Sequence, residues 1–200
     1  MNTKPLSFTT GKHTVDAITV RPLLFSAFVK HITEARAING TTIEAALRRV
    51  RMLKQVQYWL NGTPVELDYN DILGMPAKAG RTISKMLDEV TEPQGKIIRN
   101  GDGVSSAIGF ELATPIPVAN GGEPIKELEF VAKTYGDIEE VLAADDNIAQ
   151  TVSLIAKAKP VHGTLMMLPS WAIDAITASD GIAISSLVLP RFLGDEQTNT

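Results

Sequence analysis

The sequence predicts an α+β protein built of two similar units, each a β-hairpin followed by several short helices. Three observations predict it. Segments 11–28 and 121–138 match in apolar pattern without a gap at an offset of 110 residues: Val15 falls on Ile125, Ile18 on Leu128, Val20 on Phe130, Phe25 on Tyr135, Phe28 on Ile138 and, further on, Ile32 on Leu142. In both copies a stretch of strand-like alternation beside a glycine turn runs into helical spacing. The chain of 200 residues, 44% of them hydrophobic, is also long enough for a core in each of two domains of about 100 residues.

Few side chains coincide in identity, so the repeat is one of pattern. A shared core under different surfaces fits a scaffold that touches partners better than a duplicated catalyst, whose copies would keep their reactive residues. The expected division is a first unit at 1–92, a linker at 93–107, a second unit at 108–194 and a loose polar tail at 195–200.

In the first unit, Leu6 to Thr9 and the alternating Val15, Ile18 and Val20 read as strands around Gly11-Lys12, with an irregularity near Asp16-Ala17. Arg21-Pro22 ends the second strand, because proline has no N–H to give a ladder. Leu24, Phe25, Phe28, Val29 and Ile32 then predict a helix over 23–35. Asn39-Gly40 breaks it, and Thr41-Thr-Ile-Glu44 opens a longer helix carried to Leu60 by Ile43, Leu47, Val50, Leu53, Val56 and Leu60. A helical turn at 68–73 and a helix at 82–90 complete the unit.

The linker is rich in turn residues at 92–95 and 100–103, with room for a short strand at 96–99. Beyond it, 108–118 and 126–130 form a second hairpin around Asn120-Gly-Gly122, with Pro115 and Pro117 suited to an edge strand. Helices follow at 135–143, at 146–158, and from Trp171 to Ser179 with Ser170 as cap. The stretch 181–193 is assigned to a last helix. Residues 67–72 hold the place of 165–170 out of phase with the first offset, which a longer second helix in the first copy would explain.

A net charge of −4 and a pI near 5.4 give no general field for phosphate backbones, so a nucleic-acid role is disfavoured and would need a local patch. The one such patch is Arg48-Arg-Val-Arg51-Met-Leu-Lys54, which more simply forms a solvated helix flank but supports, as an alternative function, a nucleic-acid-associated regulator. The absence of cysteine excludes disulfides, thiolate nucleophiles and Cys-based metal sites. No apolar stretch reaches the roughly 18 residues of a membrane span, and the N-terminus lacks a signal-peptide core, so the expected location is the cytoplasm.

Catalytic signatures are sparse. His13, His31 and His162 stand apart from one another and from any metal-ligand spacing, and no G-x-S-x-G, P-loop or H-E-x-x-H occurs. Asp137, Glu139, Glu140, Asp145 and Asp146 are dense enough for a cation, but they lack calcium-loop spacing and are expected to offset a helix dipole instead. No catalytic residue, cofactor or metal is assigned, and the chain is expected not to be an enzyme. Trp59, Met166, Met167, Trp171 and Phe192, large and adaptable apolar groups, are the expected partner-binding residues.

Phe130-Val-Ala-Lys-Thr-Tyr-Gly-Asp-Ile-Glu-Glu-Val-Leu142, Leu168-Pro-Ser-Trp-Ala-Ile-Asp174 and Leu189-Pro-Arg-Phe-Leu193 together resemble the small tail assembly proteins, or tail assembly chaperones, of contractile-tailed bacteriophages. The first unit, through Ile18-Thr-Val-Arg-Pro-Leu-Leu-Phe25, more loosely resembles the baseplate hub assembly proteins of such phages. The resemblance implies a non-enzymatic role in which the chain binds other tail proteins, such as tape-measure, hub or baseplate subunits, in the host cytoplasm during assembly, either as a chaperone or as a retained structural component. The tandem arrangement departs from the single-unit chaperones and favours a permanent place in the tail or baseplate of the virion.

Overall fold

The computed structural model describes residues 3–104, 106–161 and 167–194. The fold is α+β, with two four-stranded antiparallel sheets, and the chain divides into two compact units. The first comprises 1–23 and 27–92; the second comprises Leu24–Ser26 together with 93–200.

In the first unit, β1 (Thr3–Thr10) and β2 (His13–Val20) form a hairpin with Gly11 at positive φ. Register slips between Pro5 and Phe8, where Leu6 and Ser7 together face Asp16, so the expected irregularity is a bulge carried by β1. Helices α1 (Phe25–Arg36) and α2 (Ile43–Lys54) follow, the latter capped by Thr42, which accepts the Ala45 N–H. The helix expected to reach Leu60 stops at Lys54. Val56–Leu60 is a strand, β3, and Thr63–Val65 its hairpin partner, β4.

The reason is local. Val56, Tyr58 and Trp59 are β-branched or aromatic groups that prefer a pleated surface, and the buried Val56 and Tyr58 alternate with the half-buried Gln57 and Trp59. Asn61 and Gly62, with φ of 51° and 75°, supply the two left-handed residues of a tight hairpin turn. Val56 then pairs with Val20 and Tyr58 with Ile18, giving sheet order β1-β2-β3-β4. The buried Tyr58 hydroxyl donates to Met52 O at 2.9 Å.

The chain continues through α3 (Tyr69–Gly74), where Asp68 and Asp71 each accept the other's backbone N–H, to α4 (Ala77–Glu89). This last helix begins five residues before its expected start because Ala79, at four-residue spacing from Ile83, extends the apolar stripe back past Gly80. Its Ile83 and Leu87 close the core over Val15, Ile18 and Tyr58.

In the second unit, β5 (Lys96–Arg99) pairs antiparallel with β6 (Ile108–Ile116). The segment expected as a linker is therefore part of the sheet. After one turn of 3-10 helix at Ala119–Gly121, β7 (Ile125–Phe130) returns along β6, and β8 (Lys159–Pro160) completes the order β5-β6-β7-β8. β6 is interior only as far as Glu111, the last residue facing β5. Pro115 lies past that point, in a bulge where register slips between Glu111 and Ile116, so no ladder hydrogen bond is lost to it.

Helices α5 (Tyr135–Leu142) and α6 (Asn147–Lys157) lie between β7 and β8. The single helix expected over 171–179 is two: α7 (Ser170–Asp174), preceded by Pro169, and α8 (Ala178–Ala183), capped by Thr177. The break follows from hydrogen bonding: the Ile176 carbonyl accepts the Phe25 N–H at 2.8 Å, while Thr177 Oγ1 accepts the Asp180 N–H at 3.1 Å. From α8 the chain winds through a π-helical turn at Ile184–Val188 into α9 (Leu189–Leu193). The wider turn precedes Pro190, whose ring and missing N–H cannot fit a regular α-helical ladder. Phe110, Leu128, Phe130, Leu154, Ile176, Ile184 and Phe192 form this unit's buried interior.

Candidate functional surfaces

In the second unit Leu168, Ala172 and Ile176 recur every four residues and are buried, with the Leu168 N–H donating to Ala158 O at 2.9 Å. Each inward residue fixes the one before it on the outside. Met167 is 61% exposed and Trp171 45% exposed. Helix α6, against which α7 packs, adds an exposed Val152, and α5 exposes Tyr135 and Leu142.

The other expected contact residues lie elsewhere. Phe192 is 1% exposed: with Ile184 and Val188 it forms the inward stripe of the last helix, and Gly103 lies directly against it, so this ring is core and not contact surface. Trp59 is half-buried on β3, and its indole N–H donates to Thr19 Oγ1 at 3.0 Å. That hydroxyl also bonds Thr3 Oγ1 at 2.9 Å, so the Trp59 ring roofs a polar row across three strands. Met166 and His162 lie outside the described residues.

The basic helix is largely committed within its own unit. Arg51 is 7% exposed; its Nε–H donates to Gln55 at 2.9 Å, and its Nη2 group to Leu87 O and to the Thr91 hydroxyl. It thus binds carbonyl oxygen at the end of α4, where a helix leaves such groups unpaired. Arg49 donates to the Tyr69 hydroxyl at 2.8 Å and lies over that ring, and Lys54 pairs with Glu34 at 2.6 Å. Arg48 is exposed.

The acidic cluster is divided between two helix starts. Asp137 accepts the N–H groups of Lys133 and Thr134, both at 2.9 Å, which together with Lys157 hold its carboxyl below the usual carboxylate range. Asp146 accepts from Ile148 and Ala149 at the head of α6, and Glu140 pairs with Lys157 at 2.5 Å. Among the described residues no three His, Asp or Glu side chains gather to hold a metal ion, and no helix is long and apolar enough to cross a membrane. His13 Nε2 lies 3.6 Å from Asp71, beside the hairpin tip.

The outward Met167-Trp171 pair was legible from the four-residue period of its buried neighbours; the capping duties of Asp137 and Asp146 were legible only in part, as negative charge at helix starts. Comparison of the chain with protein-family models, with curated proteins and with solved structures gave no match.

Proposed function

We propose that this protein is a non-enzymatic assembly component of a phage tail or baseplate, working in the host cytoplasm and retained in the virion, and that its two units are copies of one ancestral unit. The observation that carries the binding role is the outward pair Met167 and Trp171, an adaptable thioether beside an indole on a segment anchored from beneath.

The order of elements supports the duplication. Setting aside β4, β5 and the 3-10 turn, which have no counterpart, strands β1 and β2, helices α1 and α2, strand β3 and helices α3 and α4 run in the same order as β6, β7, α5, α6, β8, α7 and α8. Both hairpins slip register at the same place: β1 opposite Asp16, β6 opposite Lys126, again an offset of 110. Ile18 pairs with Tyr58 as Leu128 pairs with Pro160, an offset that has shortened to 102. The shortening begins in the first helix, 12 residues in α1 against 8 in α5, rather than in the second, with 12 in α2 and 11 in α6.

Affinity purification of the full chain from cells making the neighbouring gene products, with mass spectrometry of lysate complexes and finished particles, tests the role. Recovery of tail or baseplate proteins that is lost in Met167→Ala/Trp171→Ala supports it, and presence in particles marks a retained component. Recovery with neither tail proteins nor particles rejects it.

A further inference from the structure

His31 lies on the inner side of α1 at 7% exposure, and its Nδ1 is buried with no hydrogen-bond partner. A buried imidazole nitrogen without a partner is uncommon and tolerable only while the ring stays neutral. Its surroundings oppose a second charge. Arg51 lies over the ring of Phe28, one helical turn before His31, and Lys54 pairs with Glu34, three residues after it. Glu34 alone favours the imidazolium; Arg51 and Lys54, both on α2, disfavour it. The apolar contact between these helices includes a cluster of Ala35, Ala46 and Val50 with Ile38 and Leu47.

We infer that α1 is an acid-sensitive element of the first unit: protonation of His31, enclosed beside Arg51 and Lys54, loosens α1 from α2. Desolvation on burial, the largest influence, holds the imidazole below its ordinary range. The sign follows. The opened state binds the proton more readily than the closed one, so closure is complete above the ordinary histidine value of about 6.5 and weakens as pH falls below it. The carboxylates titrate lower, which leaves the interval from about pH 6.5 to 5 to histidine.

Hydrogen exchange of the α1 amides in the full chain, corrected for intrinsic rate, tests this between pH 7.5 and 5. Opening is expected to rise by up to about tenfold per pH unit below 6.5 in wild type and in His13→Gln, and to stay flat in His31→Gln. An equal rise in His31→Gln, or none in wild type, overturns the inference. Should His31→Gln not fold, the His31 imidazole is titrated by NMR in the wild type: a midpoint below the ordinary value supports the inference, and one at or above it overturns it.

Discussion

Asp180 Oδ1 accepts the backbone N–H of Ala113 at 2.7 Å, and its second oxygen accepts that of Thr114 at 3.3 Å and the Thr177 hydroxyl at 2.8 Å. A carboxylate 1% exposed thus replaces strand β5 as the partner of the bulged stretch of β6. Asp180→Ala strips this partner from the Ala113 and Thr114 N–H groups and the Thr177 hydroxyl, and the second unit is expected to lose about 2 kcal/mol. Trp59 and Trp171, the two tryptophans of the chain, fall one in each unit, so Trp171 fluorescence in a Trp59→Phe background reads this loss during guanidinium unfolding. A shift under about 1 kcal/mol would mean that water or a rearranged loop replaces the carboxylate.

Gly80 and Gly181 should respond to alanine with opposite signs. Around Gly80 the nearest atom to an added methyl is Met75 Sδ at 4.0 Å, so Gly80→Ala gains helix propensity of up to about 1 kcal/mol. At Gly181 the added carbon overlaps the Phe25 ring, and Gly181→Ala should cost about 2 kcal/mol despite the same propensity gain. Phe25→Leu in the Gly181→Ala background should recover part of it. Thermal unfolding of the three variants checks the signs.

Arg51 and Arg48 separate structure from surface. Arg51→Met keeps much of the side-chain length but strips partners from Gln55, Leu87 and Thr91, with an expected cost of about 3 kcal/mol to the first unit. Arg48→Met should stay within about 0.5 kcal/mol. Trp59 fluorescence in a Trp171→Phe background measures both, and comparable losses would refute the distinction.

Asp137 makes the start of α5 pH-dependent. Because its carboxyl is held below the usual range by the Thr134 backbone N–H first of all, its contribution is full above the unfolded carboxylate value and is lost as pH falls through the folded one. Exchange of the α5 amides should therefore accelerate, after intrinsic correction, below about pH 4. Asp137→Asn should abolish that dependence; persistence of it would assign the effect to another carboxylate.

The strand pairs and most helices were legible in apolar spacing, but β3 was not. Val56 and Leu60 fit the three- and four-residue spacing of α2, and only the alternation of Val56 and Tyr58 with the Asn61-Gly62 turn marked the change of period. Sheet membership of 96–99 depended on pairing with β6, a distant segment whose register no local pattern reveals. For the candidate surface, the same four-residue spacing that turns Met167 and Trp171 outward turns Phe192 inward behind Ile184 and Val188. Ala77-x-x-Gly-x-x-Ile-Ser-x-x-Leu87 and Ala178-x-x-Gly-x-x-Ile-Ser-x-x-Val188 share one spacing in the sequence itself, 101 residues apart, which a constant offset of 110 does not reveal.

The inclusion of Leu24–Ser26 in the second unit has a consequence for synthesis. These residues leave the ribosome about 150 residues ahead of Ile176, Thr177 and Gly181, which receive the Phe25 amide, the Leu24 backbone and the Phe25 ring. A nascent chain therefore carries the Phe25 ring unseated while nearly everything between is made. Closing so long a loop is slow relative to local pairing, so the second unit acquires its finished core only after the 176–181 segment has itself been made.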